Sequence, residues 1–240
     1  GAHLIGATLV PINTRYKGDE AAYVLARSGA RLLITVDGFL GMHPVAALAA
    51  SETVQPALET IVIADGPVPG GAIGWPDLVA RGRGARFRPA AVAPDDVCDL
   101  MFTSGTTGKP KGVPCTHGAT LRAFGDWAEL VGLRSGDRYL VVVPFFHSFG
   151  YKAGWLAALL AGAVVLPQPV FDVDAVLARV ARDRVTVLPG PPTLYQSLLA
   201  HPARAGADLS TLRLAVTGAA NVPVELVRRM TSELGFATVL

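Results

Sequence analysis

Short apolar runs alternate with helical patterns along this chain, and that alternation limits the folds it can adopt. Runs typical of buried strands lie at 31–36, 60–64, 97–102, 139–143, 163–166, 185–188, 212–216 and 236–240. Patterns with helical spacing lie at 19–28, 117–131, 151–160, 173–184, 192–200 and 222–234. Because parallel strands need a crossover connection, usually a helix, this order predicts an α/β fold. We expect doubly wound, largely parallel sheets flanked by helices.

The stretch 67–94 differs in composition from its neighbours. It is rich in glycine, proline and arginine and has little periodicity, which is typical of a linker. We therefore expect an N-terminal α/β portion at 1–66, a linker-like stretch at 67–94 and a second α/β portion at 95–240.

A small basic cluster lies in the linker-like stretch. It consists of Arg81, Arg83, Arg86 and Arg88. The formal net charge of the whole chain is only +2, too small for a general field that attracts polyanions. A solvated segment is favoured, and no nucleic-acid partner is expected.

Composition sets the broad class of the protein. With 240 residues, of which 51% are hydrophobic, the chain is able to bury a substantial core. Its longest apolar run, 153–166, is shorter than the roughly 20 residues of a membrane-spanning helix. The only cysteines are Cys98 and Cys115, and no secretory segment is visible. We expect a cytoplasmic protein without an integral membrane segment.

A loop rich in glycine, hydroxyl groups and lysine follows the strand at 97–102. Glycines bring backbone N–H groups close to an anion, hydroxyls donate to its oxygens, and lysines neutralise its charge. The chain has four lysines, and two of them lie in this loop. The composition predicts a polyphosphate cradle, with candidate residues Thr103, Ser104, Gly105, Thr106, Thr107, Gly108, Lys109 and Lys111.

Two common loop motifs do not fit this segment. A Walker loop requires glycine where Thr103 stands and a hydroxyl residue where Pro110 stands. A serine-hydrolase elbow centred on Ser104 requires glycine at Phe102 and Thr106. Both patterns are therefore rejected.

The string MFTSGTTGKPKG at 101–112 resembles the phosphate-loop signature of the adenylate-forming superfamily. This superfamily contains acyl-CoA synthetases, firefly-type luciferases and the adenylation domains of peptide synthetases. The resemblance implies that the loop holds the β- and γ-phosphates of ATP while a carboxylate attacks the α-phosphate. It implies catalytic roles for Thr106 and Lys109, with Thr106 also as a ligand of Mg²⁺.

The block PFFHSFG at 144–150 follows the strand at 139–143 and resembles the family segment that lines the acyl pocket. The resemblance implies a pocket that includes His147, as a catalytic or gating residue, together with Phe149 and Gly150. Pro192 and Thr193, at the start of a later helix, are further candidates for this pocket.

Position 147 separates branches of the family. Amino-acid-activating relatives use an aspartate there to bind the substrate ammonium, and a neutral histidine does not replace that ion pair. We therefore expect an acid without an α-amino group. Asp172 is an alternative aspartate but stands where a helix N-cap is expected. Leu194, Tyr195 and Leu198 either line the acyl pocket or belong to the core.

A turn of small residues follows the strand at 212–216. It contains Gly218, Ala219 and Ala220 and resembles the family's adenine-binding turn. Small residues allow a planar base to lie against the backbone. The dehydrogenase pattern Gly-x-Gly-x-x-Gly is absent from the chain.

Together these resemblances imply an ATP-dependent ligase that uses ATP, Mg²⁺ and CoA. It would convert a small-molecule carboxylic acid to an acyl adenylate and then to an acyl-CoA thioester, with 95–240 as its ATP- and acyl-binding portion. The segments 144–172 and 185–202 look most like bacterial fatty-acid-CoA ligases, including an actinobacterial group that activates steroid-ring propanoates.

Two alternatives remain open from the sequence: an aryl-acid-activating ligase of the same family, and a non-catalytic nucleotide-binding module. The family's C-terminal lid domain has no counterpart in these 240 residues. We therefore expect a fragment of the large N-terminal domain that does not complete adenylation alone. No oligomeric state is predicted.

Overall fold

Most helices and strands of the computed structural model lie where the sequence pattern predicts them. The structure describes residues 1–103, 109–218 and 220–240. These residues form two units, Gly1–Ala119 and Thr120–Leu240.

The first unit carries two sheets and three short helices. Its strands are β1 (Leu32–Thr35), β2 (Thr60–Ile63), β3 (Ile73–Gly74), β4 (Val97–Thr103) and β5 (Lys111–Thr116). Its α-helices are α1 (Gly18–Ser28), α2 (Pro44–Ala49) and α3 (Trp75–Arg81), with 3-10 turns at His3–Ile5 and Phe39–Gly41.

A parallel three-stranded sheet and two helices form the core of this unit. Strand β2 pairs with β1 on one side and with β3 on the other. Helix α1 ends at Gly29, whose φ of 64° is the left-handed conformation expected of a C′ glycine. Ala22 and Leu25 of α1 pack against Leu48 of α2. The predicted helix and the two predicted strands of this region are therefore present.

The stretch 67–94 contains regular structure that its composition did not indicate. Strand β3 pairs in parallel with β2, and α3 follows it directly. Both elements are too short to produce a recognisable period. The division between the two units falls after Ala119 and not in this stretch.

Strands β4 and β5 form an antiparallel hairpin around the predicted phosphate loop. Met101 pairs with Val113, and Thr103 pairs with Lys111. Strand β4 was predicted, whereas β5 was not, because Gly112 and Pro114 argue against a strand. Among the described residues this sheet consists of β4 and β5, so Pro114 lies on an edge strand, where a missing N–H is tolerated.

The second unit is built from alternating strands and helices. Its strands are β6 (Arg138–Val141), β7 (Val164–Pro167), β8 (Leu214–Ala215) and β9 (Thr238–Val239). The helices are α4 (His117–Leu130, which begins before the boundary), α5 (Ser148–Gly150), α6 (Ala157–Leu160), α7 (Val173–Arg182), α8 (Pro192–Ala200) and α9 (Val224–Leu234). A π-helical turn spans Tyr151–Leu156, and a 3-10 turn spans Pro202–Gly206.

These strands form a parallel sheet with an order that differs from the chain order. Strand β6 pairs with β7, and β8 pairs with β9. Val187 bridges β6 through Tyr139 and β8 through Leu214, so it joins the two pairs. The predicted strand at 185–188 is represented by these bridges. The spatial order is β7, β6, Val187, β8, β9, and helices connect the strands, which confirms the predicted doubly wound α/β class.

Helices cover this sheet through their apolar faces. Leu177 and Val180 of α7, Leu198 of α8 and Met230 of α9 belong to one buried cluster. Asp172 caps α7 by accepting a hydrogen bond from the Ala175 N–H at 2.8 Å, as predicted. Among the residues described, no helix is both long enough and apolar enough to cross a membrane.

The helix predicted at 151–160 differs in its winding. It begins at Ser148, takes a π-helical turn over Tyr151–Leu156 and returns to α geometry at Ala157. π-helical turns are rare and occur frequently at functional sites. Periodicity alone does not distinguish them from α-helix over one or two turns.

Candidate functional site

The predicted phosphate-loop residues that the structure describes lie at the end of the β4–β5 hairpin. Thr103 and Lys111 are paired across it, and the Thr103 hydroxyl donates to the Lys111 carbonyl at 3.5 Å. Thr103, Lys109 and Lys111 are exposed. The predicted residues Ser104, Gly105, Thr106, Thr107 and Gly108 lie outside the described part of the chain.

Helix α1 contacts the C-terminal side of this loop through one aromatic residue. The Tyr23 hydroxyl donates to the Pro110 carbonyl at 3.1 Å. The Lys109 ammonium lies 5.7 Å from the centroid of the Tyr23 ring, within the range of a cation–π interaction. Sequence reasoning missed this role, because Tyr23 fits the apolar pattern of an ordinary helix face.

Close packing explains one glycine of the loop. A β-carbon at Gly112 would lie 3.1 Å from Leu100 Cδ1 and 3.3 Å from Phe102 Cζ. Glycine therefore lets β5 approach the side chains of β4. A cleft of about 310 Å³ opens beside the hairpin, lined by Tyr23, Arg27, Leu100, Phe102, Pro110, Lys111 and Gly112.

The donor set of the described hairpin residues fits a polyphosphate anion. The two ammonium groups, of Lys109 and Lys111, are accessible there, and each is able to donate to phosphate oxygens. Within the described ranges, no group of three or more histidine, cysteine, aspartate or glutamate side chains is arranged to hold a metal ion. The predicted Mg²⁺ ligand, Thr106, falls outside those ranges.

In the second unit, the order of the strands brings the predicted pocket residues to neighbouring strand ends. From β6 the chain crosses to β7 on one side and then returns to Val187 on the other side. Parallel sheets bind ligands outside the carboxyl ends of strands at such a switch in direction. His147, Phe149 and Gly150 follow β6, whereas Pro192 and Thr193 follow the strand through Val187.

His147 lies at the start of the helical segment that follows β6. Its Nδ1 accepts a hydrogen bond from the Phe149 N–H at 3.1 Å, so it is the N-cap of α5. A neutral ring in this arrangement carries its proton on Nε2. The side chain is exposed, and Phe149 is half-buried, so the imidazole is not packed in the core.

Gly150 allows the helix to begin directly against the strand end. A β-carbon there would lie 2.3 Å from the Val143 carbonyl oxygen and 2.4 Å from the Pro144 carbonyl oxygen. Both contacts are to backbone, which does not move aside easily. Gly150 is thus a structural requirement of the predicted pocket wall.

The second strand end is tied to α8. Pro192 is buried and Thr193 is exposed at the first turn of this helix. The fully buried Tyr195 donates its hydroxyl to the Leu188 carbonyl at 2.8 Å, and this hydroxyl lies 3.3 Å from the Val216 carbonyl. Burial raises the pKa of the Tyr195 phenol well above its ordinary value.

The sequence leaves open whether three side chains of α8 line the acyl pocket or belong to the core. Leu194, Tyr195 and Leu198 belong to the main buried cluster of the second unit. They are therefore core residues that fix the position of the helix.

The predicted adenine turn follows the next strand, β8. Gly218 has open space beside its α-carbon, and Ala220 is exposed. Ala219 lies outside the described residues. The Thr217 N–H donates to the Leu240 carbonyl at 2.7 Å, which holds the beginning of the turn beside β9. Among the residues that are described, the buried Thr217 Oγ1 has no hydrogen-bond partner.

The chain is similar to known proteins along its whole length. The model of the family described as AMP-binding enzyme matches residues 1–240. A 3-[(3aS,4S,7aS)-7a-methyl-1,5-dioxo-octahydro-1H-inden-4-yl]propanoyl:CoA ligase of Mycobacterium tuberculosis is 51% identical over 242 residues, which cover 99% of this chain and 47% of that protein. The ligase of the same name from Rhodococcus jostii is 49% identical over 251 residues, covering 100% of this chain and 48% of that protein.

A solved structure has the same fold. The crystal structure of the anthranilate CoA ligase AuaEII in complex with anthranoyl-AMP superposes with a TM-score of 0.88 at 30% identity, covering 98% of this chain and 45% of that chain. The chain thus spans about half the length of the relatives it matches. Because the family model matches its whole length, the chain belongs to the AMP-binding enzymes, the adenylate-forming superfamily that its motifs resemble.

Proposed function

We propose that the protein carrying this chain is an AMP-forming acid–thiol ligase. A carboxylate oxygen would attack the α-phosphorus of ATP, and pyrophosphate would leave. The thiol of CoA would then attack the acyl carbon of the adenylate, and AMP would leave. Positioning and charge stabilisation supply most of the catalysis in such phosphoryl chemistry.

The observation that carries this proposal is the pair of accessible lysines at the end of the β4–β5 hairpin, in a chain that matches the AMP-binding family throughout. Lys109 and Lys111 would neutralise the β- and γ-phosphates, together with the hydroxyls and backbone of 103–108. Mg²⁺, with Thr106 as its proposed ligand, would neutralise part of the remaining charge.

We further propose that Gly218, Ala219 and Ala220 receive the adenine. They follow β8, the strand next to the one through Val187. The open space beside Gly218 supports this assignment.

For the acid, we propose a lipophilic carboxylate without an α-amino group. His147 has no negative charge to pair with an ammonium, and its Nδ1 is occupied by the Phe149 N–H. The two ligases that are about half identical to this chain are named for a propanoate carried on a fused bicyclic dione. An acid of that class is our first choice, with His147, Phe149, Gly150, Pro192 and Thr193 around it.

An aryl acid is the second candidate. The structural relative AuaEII is an anthranilate ligase with a TM-score of 0.88 to this chain.

The decisive experiment is ATP–pyrophosphate exchange by a full-length ligase containing this chain, followed by acyl-CoA formation. The acids are a fused-ring propanoate, a straight-chain fatty acid, an aryl acid and an α-amino acid. We expect the highest kcat/KM with the fused-ring propanoate. Preference for the amino acid would refute the role given to His147, and ATP binding without exchange for any acid would favour a non-catalytic nucleotide-binding module.

A pair of variants tests position 147 directly. His147→Asp places a carboxylate where the proposed pocket begins, and we expect it to lower kcat/KM for the lipophilic acid by at least tenfold. Ser148→Asp adds the same charge one residue later, also at an exposed position. Equal losses in the two variants would contradict a specific role for residue 147.

The 240-residue chain on its own is the last part of the proposal. We infer that it does not complete adenylation, because the relatives that it matches are about twice as long. Pyrophosphate exchange by the isolated chain at the rate of the full-length ligase would disprove this.

A further inference from the structure

Tyr23 of α1 contacts the described part of the predicted phosphate loop through two separate groups. Its hydroxyl bonds to the carbonyl of Pro110, 87 positions away in sequence, and its ring faces the ammonium of Lys109. These are contacts to consecutive residues on the C-terminal side of the loop. Tyr23 therefore contacts both the backbone and a charged side chain on the C-terminal side of the loop.

The helix that presents Tyr23 is itself firmly held. The neighbours of Tyr23 in sequence, Ala22 and Val24, are completely buried. At the start of α1, the Lys17 N–H donates to the Glu20 carboxylate at 2.9 Å. Gly29 ends the helix in the left-handed conformation. Tyr23 is thus fixed before any ligand binds.

The residues that Tyr23 contacts are an exposed lysine and a proline. Lys109 is exposed, and its ammonium lies at the end of four methylene groups, which makes it costly to order. Pro110 has no N–H and donates no backbone hydrogen bond, so its carbonyl is its main-chain attachment.

We propose that Tyr23 is a positioning residue for ATP: it holds Pro110 by a hydrogen bond and the Lys109 ammonium over its ring, so that the lysine is oriented before the polyphosphate arrives. The inference rests on the proposed function, since it assigns ATP to the loop. Preorganisation of this kind increases affinity by reducing the ordering that binding requires. It acts on ATP and not on the carboxylic acid.

The first measurement needs no activity. Lysines of the full-length ligase are reductively methylated with ¹³C, and the Lys109 signal is assigned from a Lys109→Arg variant. A ring beneath the ammonium shifts its methyl signals upfield. We expect this shift in the wild type and in Tyr23→Phe, which keeps the ring, and its loss in Tyr23→Leu. Absence of the shift in the wild type would overturn the inference.

The second measurement separates positioning from general stability. Tyr23→Phe removes one hydrogen bond, and we expect the KM for ATP to rise about fivefold while the KM for the acid is unchanged. Tyr23→Leu also removes the ring contact and should raise the KM for ATP about tenfold or more. The control is Ser28→Ala, which removes a hydroxyl that bonds within α1, to the Leu25 carbonyl at 3.2 Å.

A double-mutant cycle with Lys109→Ala completes the test. If Tyr23 acts through Lys109, then Tyr23→Leu has a smaller effect on the KM for ATP in the Lys109→Ala background than in the wild type. Fully additive effects, or equal effects of Tyr23→Phe and Ser28→Ala, would overturn the proposal.

Failure of the proposed function would be visible separately. If no acid supports exchange, the dissociation constant of ATP measured by calorimetry replaces the KM. An unchanged dissociation constant in Tyr23→Leu would then refute the positioning role, whereas the same fold-change would support it without the ligase activity.

Discussion

The guanidinium of Arg213 holds the carboxylate of Asp137 across 76 positions of sequence. Arg213 Nε donates to Asp137 Oδ1 at 2.8 Å, and a second guanidinium nitrogen bonds to Oδ2. The Thr186 hydroxyl donates to Oδ1 at 2.9 Å. Asp137 precedes β6, Thr186 precedes Val187, and Arg213 precedes β8. One carboxylate therefore joins the amino ends of three neighbouring strands, opposite the edge that carries the predicted pocket.

Loss of Arg213 should destabilise the protein strongly. Asp137 is 3% exposed, so Arg213→Met would leave a buried carboxylate without its countercharge. We expect the free energy of unfolding to fall by about 3–5 kcal/mol. Urea denaturation at pH 7 measures this. The control is Arg228→Met, which removes an exposed partner 3.7 Å from Glu225 and should cost no more than about 1 kcal/mol.

The same ion pair predicts a dependence of stability on pH. Burial raises the pKa of the Asp137 carboxyl, but Arg213, the Arg134 N–H and the Thr186 hydroxyl outweigh burial, and the pKa is lowered overall. The ionised Asp137 carboxyl therefore contributes fully to the free energy of unfolding above the ordinary aspartate pKa of about 4. This contribution is lost as the pH falls through the lowered pKa of the folded state. The difference between wild type and Asp137→Asn should shrink below about pH 4, and a constant difference would contradict this.

Two glycine substitutions should have opposite effects. Gly150→Ala places a β-carbon 2.3 Å from a carbonyl oxygen, so the backbone must shift, at a cost of about 1–3 kcal/mol or more. Gly125→Ala, within α4, meets no atom within 4 Å and should stabilise by about 0.5–1 kcal/mol. Thermal unfolding of both variants checks the signs. Tolerance of alanine at position 150 would show that the segment after β6 is adjustable.

Removal of the Tyr195 hydroxyl should disturb two strand ends together. Tyr195→Phe leaves the buried Leu188 carbonyl without this donor, and we expect a loss of about 1–3 kcal/mol. Because the Val216 carbonyl also lies within reach, the KM for ATP should rise as the turn after β8 loosens. Tyr139→Phe is the control: it removes a buried hydroxyl bonded to the Ala153 carbonyl at 3.1 Å. An equal rise of KM in the two variants would point to stability alone.

The two lysines of the hairpin should matter for ATP beyond their charge. We expect Lys109→Ala and Lys111→Ala each to raise the KM for ATP at least tenfold, because charge-assisted hydrogen bonds contribute about 1.5–3 kcal/mol. Lys17→Ala removes an equal charge from the start of α1 and should leave the KM unchanged. Similar effects of all three would indicate only a long-range field, and high salt would then abolish them.

Local pattern was sufficient for most elements. The apolar face of α1, its closing glycine and the Asp172 cap of α7 are properties of a few adjacent residues, and all three are present. Short elements without a full period were not predictable. Strand β3, with two residues, and β5, with a glycine and a proline, exist because partner strands supply their hydrogen bonds.

The sequence by itself determined the α/β class, because element type depends on local periodicity. It also predicts, from local composition, that the loop at 103–111 binds an anion. Only the tertiary structure decided the strand order β7, β6, Val187, β8, β9, which brings the segments at 144–150 and 190–193 to neighbouring strand ends. It also decided that Tyr23 contacts Lys109 and Pro110, and that Arg213 pairs with Asp137. Such contacts join residues that are far apart in sequence, and local periodicity carries no information about which distant residues meet.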